Sequence, residues 1–490
     1  MSAARNAALQ DKYGAAYKWL AGFAVVLGLL TTIFSSTMVN VALTDIMETF
    51  HISQGLAQWM STAFLCASSV AMLTTAWLMH NVGSRATFLL AIALFIIGSF
   101  LGWISPNYTT LVIARLLQGV GAGILQPLSM SLIFLLFPAE MRGRAMGMFG
   151  MGVVIGPAVG PVIGGIITDT LEWHTSFAVV IPLAIIAGII GMVLLPDKSS
   201  DKPLSRFNMK SLLLVSLAVG CLLTGLSNSQ FFELRSLQVF PYLLIALIGF
   251  MLFFIREMKS ATPLVELRMF GNMRLLSSAV IGAFTSAGMF SSFYTIPLFA
   301  RTVQSATATD AGMLLLPAGL MLAVVFPIVG RLIDRMPAYR LILVGQVGFI
   351  IATIILSWAD RNTGYLMLAG WVIFGRIAIG FIMPSNSTFA LSNVAPPQVP
   401  QASGALNFLR MLGGTIGVNL TAILITSRTE FHLGEEGIKL HEITAENAQT
   451  LEALTSIFHD VFLVTGIVFS VSLIPGIYLA LSHRKERLSV

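Results

Sequence analysis

Charge is scarce in this sequence. Only 10% of its 490 residues are Asp, Glu, Lys or Arg, whereas roughly a quarter of the residues in a soluble globular domain are charged. Hydrophobic residues instead make up 56% of the chain, and the mean hydropathy is +0.86. These values exclude a water-soluble globule and indicate an all-α polytopic membrane protein.

Cysteine is almost absent as well. Cys66 and Cys221 each lie inside an apolar run, which excludes a disulfide framework and a CxxC metal or redox motif. The sequence also lacks GxxxxGK[ST], HExxH and GxSxG, and His441-Glu442 has no second histidine to complete a zinc motif. We therefore expect that the protein is not an enzyme, that this chain alone is not an ATP-driven pump, and that it binds no metal or cofactor.

Long apolar runs fill most of the chain. Each has roughly 17 to 27 residues, which is enough to cross ~30 Å of hydrocarbon at 1.5 Å per residue. Fourteen such runs, called spans 1 to 14, begin near residues 19, 56, 87, 110, 145, 175, 211, 239, 275, 311, 339, 364, 403 and 457. The sequence thus predicts fourteen transmembrane helices.

Basic residues are distributed unevenly among the loops. Lys and Arg concentrate in the two tails and the even-numbered loops, as expected of the cytoplasmic side, and no cleavable signal pattern precedes span 1. The odd-numbered loops hold only Arg235, Arg301, Arg361, Arg428 and Lys439. We expect both termini in the cytoplasm of a bacterial inner-membrane protein, with the acidic loop 428–456, carrying a short surface helix, on the outside. Membrane orientation also explains the net charge of +6, so we expect no nucleic-acid partner.

The chain repeats itself at an offset of 257 residues. Gly and Pro positions of spans 4 and 5 recur in spans 12 and 13: Gly123/Gly380, Pro127/Pro384, Gly147/Gly404, Gly156/Gly413 and Gly160/Gly417. The offset equals eight spans, so two six-helix bundles must flank an inserted pair. We predict an N-terminal bundle at 1–196, inserted helices 7 and 8 at 197–260, and a C-terminal bundle at 261–490. Such parallel repeats are typical of secondary transporters, with the substrate bound near the membrane midplane.

Span 5 carries glycines at four-residue spacing, which stacks them on one helix face and lets a neighbouring backbone approach closely. Two prolines in the same helix each remove a backbone donor. One interpretation is a tight packing seam, and the other is a hinge seam between moving helices. The residues of this predicted seam are Gly152, Gly156, Pro157, Gly160, Gly164 and Gly165.

Three arginines lie inside spans, where facing lipid would cost at least ~2.5 to 3.5 kcal/mol. On span 4, Arg115, Gln118 and Gln126 form a polar stripe at 100° per residue. We expect such residues to face the bundle interior, either fixing helix positions or taking part in transport. The candidate cavity or coupling residues are Asn40, Arg115, Gln118, Gln126, Arg376, Asn386, Asn407 and Arg410.

Several motifs resemble the fourteen-span drug:proton antiporter branch of the major facilitator superfamily over essentially the whole chain. Its gxxxGPxxGGxx pattern is matched by Gly152 to Ile166, and its LxxxRxxQGxGA pattern by Leu111 to Ala122. Its NVALP sequence is matched by Asn40 to Leu43, with Thr44 replacing proline, and GxxNxxRxxGGxIG by Gly404 to Gly417. The resemblance implies a substrate-exporting fold of two bundles.

The inner gate departs from this family pattern. In the loop after span 2, which usually reads GxLxDRxGRR, His80 stands at the aspartate position, while Gly83 and Arg85 are kept. The copy after span 10 retains Asp334 and Arg335. Ser35 stands where span 1 of the family commonly has an acidic residue, so one usual proton site is missing.

Carboxylates are absent from the deep part of every predicted span. We expect proton coupling, if present, to use peripheral groups: Asp45, Glu48, Asp310, Asp334 or His80. With three arginines and no opposing charge, the substrate cavity is predicted to be positive or neutral and to prefer anionic or neutral amphiphiles.

The family resemblance implies proton-coupled multidrug efflux by alternating access. The alternative is an exporter or facilitator of a specific anionic metabolite, siderophore or lipid-like molecule without the usual carboxylate coupling. A channel is less favoured, because the sequence shows no repeated ring of filter residues. The expected partners are a small-molecule substrate, membrane lipid and protons, with a periplasmic adaptor as a further candidate.

Overall fold

The computed structural model describes residues 2–197, 206–229, 232–433 and 448–488. Within these ranges the chain is helical and contains no β-strand. Fourteen of its helices are long and apolar enough to cross a membrane. The predicted all-α membrane fold with fourteen spans is therefore confirmed.

The spans are bounded as follows: Tyr17–Val41, Gln54–Asn81, Ser84–Trp103, Tyr108–Leu136, Arg142–Thr170, Thr175–Ala178 continued by Val180–Leu194, Met209–Asn228, Phe240–Lys259, Met273–Thr302, Ala308–Met313 continued by Leu315–Ile333, Ala338–Leu356, Tyr365–Ser392, Val399–Leu433 and Ala448–Ser470. Further helices are Ser2–Tyr13, Leu43–Phe50 and Leu473–Leu488.

The helices on both sides of the predicted outer loop 428–456 extend into it. Span 13 remains helical through Leu433, and span 14 is already helical at Ala448 rather than near residue 457. The apolar run marks only the part of a helix that lies in hydrocarbon, and helix-forming residues such as those of AQTLEALT continue the hydrogen-bonded helix beyond it. The short surface helix expected in this loop falls largely on 434–447, outside the described residues.

The chain forms two compact units. Unit 1 comprises Met1–Gly225, Phe240–Gly271 and Leu391–Phe408, and unit 2 comprises Leu226–Val239, Asn272–Ala390 and Leu409–Val490. In unit 1 the inserted helices pack on span 2: the Trp77 and Phe207 rings lie 4.8 Å apart, and a Cβ at Gly220 would lie 3.8 Å from Cys66 Sγ. The predicted division at 196 and 260 stays a prediction.

Span 4 is the most buried span of unit 1 and packs backbone to backbone. A Cβ at Gly119 would lie 2.5 Å from the Phe64 carbonyl oxygen of span 2, and one at Gly121 would lie 2.6 Å from the Ala91 carbonyl oxygen of span 3. Gly123 makes the same kind of contact with the backbone of span 2. Without a hydrophobic drive between helices in lipid, such close approach is what gives dispersion its strength.

The internal repeat of 257 residues also relates the glycine contacts of the two units. Gly123 packs on Ser68, and Gly380 packs on Val325, so both partners are also 257 residues apart. In unit 2, Gly413 and Gly417 of span 13 meet span 9 at residues four apart, Ala283 and Ala287. Their counterparts in span 5 meet span 1 in the same way. Each unit thus builds an equivalent helix pair from equivalent glycines.

Candidate functional site

Arg115 lies inside unit 1 with 1% of its surface exposed. Its Nη1 donates to Gln118 Oε1 at 3.0 Å, and its Nε donates to the Met60 carbonyl oxygen at 3.4 Å. The Phe64 ring centroid lies 4.4 Å from the guanidinium carbon, a cation–π distance. The burial cost of this charge is thus offset by an amide oxygen, a carbonyl and an aromatic face.

Gln118 joins three helices. Its Nε2 donates to Ser35 Oγ of span 1 at 3.1 Å and to Ser99 Oγ of span 3 at 2.9 Å. Ser35 is the position at which the family commonly has an acid, and here its hydroxyl accepts from a neutral amide. Gln126, two turns along span 4, is only partly buried and makes no hydrogen bond with the described residues.

Replacing Gln118 with leucine should lower the free energy of unfolding by ~1 to 3 kcal/mol, because Arg115 loses an acceptor and two buried hydroxyls lose a donor. Thermal unfolding of the purified protein in detergent measures this loss. Gln126→Leu is the matched control on the same helix and should change stability little. Equal melting temperatures for the two variants would contradict the assigned network.

Arg410 and Asn386, two predicted site residues of unit 2, lie together beside Gly282. Arg410 Nη2 donates to Ser387 Oγ at 2.8 Å, and Asn386 Nδ2 donates to the Ser278 carbonyl oxygen at 2.8 Å. A Cβ at Gly282 would lie 3.1 Å from Arg410 Nε and 3.4 Å from Asn386 Nδ2. The Asn386 Oδ1 atom is buried and has no hydrogen-bond partner in the part of the chain that the structure describes.

Arg376 lies apart from this pair, whereas Asn407 is three residues before Arg410 in the helix of span 13. Arg376 Nη1 donates to the Met289 carbonyl oxygen at 3.4 Å, seven residues along span 9 from Gly282 and thus about 10 Å away along the helix. Asn407 belongs to unit 1, where its Nδ2 donates to the Ser403 carbonyl oxygen at 2.9 Å and lies 3.2 Å from Met130 Sδ. Asn40 is in the helix of span 1, but the structure does not describe its side chain. The predicted residues therefore form separate clusters.

Four of the predicted seam glycines on span 5 meet span 1. A Cβ at Gly152 would lie 2.7 Å from Val26 Cγ1, and one at Gly164 would lie 2.9 Å from Met38 Cα. Between them, Cβ atoms at Gly156 and Gly160 would overlap Ile33 and Thr37.

Gly165 differs, since a Cβ there meets nothing within 4 Å. It follows Gly164 by 100° around the helix and so points away from span 1. Pro157 and Pro161 lie inside one continuous helix, Arg142–Thr170. This geometry is a close packing contact, and motion along it stays a prediction.

The altered gate after span 2 has a carboxylate from another element. Arg85 Nη1 lies 2.9 Å from Asp197 Oδ1 and 3.2 Å from Oδ2, so the residue just after span 6 pairs with this arginine. His80 is exposed in the last turn of span 2, and Gly83 follows with φ of 89°, a left-handed conformation suited to glycine. At the second copy, Asp334 ends the helix of span 10 and Arg335 is exposed.

Asp460 of span 14 is a carboxylate that the sequence analysis did not consider. Span 14 starts at Ala448, so Asp460 lies about three turns into the helix. Its Oδ2 is 3.0 Å from His432 Nε2 and 3.6 Å from Arg428 Nε, both on span 13. Sequence analysis missed this cluster because it placed the start of span 14 too late.

The predicted proton sites lie near helix ends. Asp45 and Glu48 belong to the short helix Leu43–Phe50 after span 1. The Asp310 carboxylate accepts from Thr307 Oγ1 at 2.7 Å, and its backbone N–H donates to the same hydroxyl at 3.1 Å. This reciprocal pair caps the helix Ala308–Met313.

Fourteen apolar helices, buried arginines held by neutral acceptors and a glycine-packed helix pair define a helical membrane transporter. A family model described as Major Facilitator Superfamily matches residues 25–418. The chain belongs to this superfamily. Its family and fold are those of transporters rather than of enzymes.

Individual relatives agree with this assignment. The chain is 27% identical to the uncharacterized MFS-type transporter YcnB of Bacillus subtilis over 87% of this chain and 90% of the relative. It is 28% identical to the lincomycin resistance protein LmrB of Listeria innocua over 91% of this chain and 93% of the relative. Relatives of the latter kind agree with the drug:proton antiporter branch that the motifs indicate. A crystal structure of the human organic anion transporter MFSD10 shares the fold, with a TM-score of 0.64 and 15% identity over 92% of this chain and 99% of that chain.

Proposed function

We propose that this protein exports small amphiphilic molecules from a bacterial cytoplasm across the inner membrane by alternating access, in the manner of multidrug efflux. The observation that carries the proposal is the contact between spans 1 and 5. In this contact, glycines of the glycine- and proline-rich motif of the antiporter branch lie directly against Val26, Ile33 and Thr37 of span 1, within unit 1. Glycines allow two helices to pack this closely, and we infer that the two helices shift against each other along this contact during transport.

The drug-resistance name of the Listeria relative supports an amphiphilic substrate class. Protons are the proposed driving ion. The candidate carriers are the peripheral Asp45, Glu48 and Asp310, together with the Asp460–His432 pair that the structure adds. An outer adaptor remains a further prediction.

Transport into inverted membrane vesicles tests this proposal. Vesicles carrying the protein should accumulate a fluorescent amphiphile when their lumen is acidified, and a protonophore should abolish the accumulation. Uptake that only equilibrates the amphiphile, with or without the pH gradient, would instead identify a facilitator or channel. A panel of efflux assays in a strain that lacks its other exporters then identifies the substrate class.

A second candidate is an exporter or facilitator of a specific anionic metabolite, siderophore or lipid-like molecule. It is favoured by unit 2, where neither Arg376 nor Arg410 forms an ion pair with any described carboxylate. An anionic substrate would supply the missing opposite charge. Failure of cationic dyes in the vesicle assay, combined with transport of anionic probes, would select this candidate.

The orientation can be tested by cysteine labelling in a variant in which Cys66 and Cys221 are replaced by serine. Gly437→Cys should react on intact cells with a membrane-impermeant thiol reagent, because the positive-inside pattern places its loop outside. Ser205→Cys should react only after the cells are permeabilised. The opposite labelling pattern would overturn the proposed topology.

A further inference from the structure

Arg376 of span 12 is a buried charge without an ion-pair partner among the described residues. Only 2% of its surface is exposed. One terminal nitrogen donates to the Met289 carbonyl oxygen at a long 3.4 Å, and the Phe293 ring centroid lies 3.9 Å from the guanidinium carbon. The other terminal nitrogen, Nη2, is buried and has no hydrogen-bond partner among the described residues. The guanidinium is therefore only partly compensated.

A cavity of about 20 Å³ adjoins Arg376 inside unit 2. It lies among spans 9, 11, 12 and 14, and its polar lining includes the hydroxyls of Ser292, Thr353 and Thr465. A volume of 10 to 15 Å³ is enough for one water-sized particle. This space is thus large enough for a single small ligand.

The repeat explains why the cavity exists. At the offset of 257 that relates span 4 to span 12, Arg115 corresponds to Val372 and Gln118 corresponds to Gly375. Both Val372 and Gly375 line the cavity. In unit 1 Gln118 supplies the acceptor for Arg115, while the position that corresponds to Arg376 is Gly119. In unit 2 glycine removes that acceptor, and Arg376 supplies a donor with nothing to receive it.

The positive charge of the Arg376 guanidinium indicates that the missing ligand is negatively charged. Water could accept the Nη2 hydrogen bond, but it would leave the guanidinium charge unneutralised in a low-dielectric interior, where an unpaired ion is costly. A small anion both accepts the hydrogen bond and neutralises the charge. The Ser292 and Thr353 hydroxyls already donate to the Met289 and Ile350 carbonyls of their own helices, so the guanidinium is the group that selects the ligand.

We propose that this cavity binds one halide-sized anion, chloride in the cell, beside the guanidinium of Arg376. The anion supplies an acceptor to this arginine, as the Gln118 amide oxygen does to Arg115 in unit 1. It joins span 12 to the surrounding helices of unit 2 as a structural ligand. This role is separate from substrate export, and its test does not require the substrate to be known.

The test is halide-dependent stability of the purified full-length protein in detergent. At constant ionic strength, the melting temperature should rise and saturate as sodium gluconate is replaced by sodium chloride or bromide, because a ligand that binds the native state stabilises it. Radiolabelled chloride should bind with a stoichiometry near one per chain. A melting temperature that is the same in chloride and gluconate would overturn the proposal and leave water as the occupant.

Two variants locate the site, and a third is the control. Arg376→Gln should abolish the chloride-dependent rise whatever its own melting temperature. Gly375→Gln, which restores the amide found in unit 1, should also abolish it while keeping the arginine. Arg301→Gln, an exposed arginine at the end of span 9, should retain the full rise. A chloride effect that survives both Arg376→Gln and Gly375→Gln would place the anion elsewhere and refute this site.

Discussion

Gly156→Val is expected to reduce export about tenfold or more while the protein still inserts into the membrane. A single Cβ at this position already overlaps Ile33 of span 1, and the Gly156 carbonyl oxygen accepts from Thr37 Oγ1 at 3.4 Å. Two further methyl groups must therefore push the helices apart or distort them, at ~1 to 3 kcal/mol. If spans 1 and 5 must move against each other during transport, this energy cost hinders that movement and slows export.

Gly165→Val is the matched control, because it adds the same side chain to the same helix where nothing lies within 4 Å. It should export close to the wild-type rate. Membrane protein levels are measured alongside efflux in both variants, so that loss of transport is separated from loss of protein. Normal export by Gly156→Val at normal abundance would refute the hinge interpretation, and equal loss in both variants would show that the contact with span 1 is not the cause.

Arg410→Gln is expected to shift selectivity away from anions. Arg410 is only partly buried, and its Nη2 bonds to a neutral serine hydroxyl, whereas Arg115 and Arg376 are almost fully buried. Arg410 is thus the intramembrane arginine best placed to meet a substrate. An opposite charge at 4 Å is worth ~4 kcal/mol at an effective dielectric of 20. Even a third of that energy changes the ratio of anion to cation export about tenfold.

The measurement is efflux of an anionic and a cationic amphiphile of similar size, compared in wild type and variant. Arg301→Gln removes an exposed arginine of the same unit and should leave the ratio unchanged. Strong export of cationic dyes by the wild type, unaltered in Arg410→Gln, would refute the charge-selectivity hypothesis. A shift that appears equally in Arg301→Gln would point to the overall surface potential instead.

The number and order of the spans could be read from the sequence, because apolar length is the dominant constraint on a chain in lipid. The helix ends could not, since polar helix-forming residues carry span 14 back to Ala448. That difference decided the interpretation of Asp460, which looks peripheral in an apolar run but lies well inside the helix. Sequence patterns also identified Gly156 and Gly160 as packing positions, because their four-residue spacing is local information.

Partners distant in sequence were beyond reach of the sequence alone. Arg85 and Asp197 are 112 residues apart, and no local pattern indicates that this carboxylate serves the altered gate. Gly375 gave no signal either, because a glycine in an apolar helix is ordinary until its repeat counterpart is known to be a buried glutamine. The residue types of the candidate site could be predicted, whereas their separation into clusters depended on the tertiary contacts.

The glycines of span 4 also limit which amino-acid substitutions this protein can tolerate. Every missense change in the codons for Gly119, Gly121 or Gly123 introduces a side chain, and each would meet a backbone atom of span 2 or span 3. On the same helix, Ile113 and Leu116 are 48% and 40% exposed, so exchange for another apolar residue changes little there. Substitutions that persist under selection should therefore be rare on the glycine face of span 4 and should accumulate on helix faces where an added side chain meets no neighbouring atom.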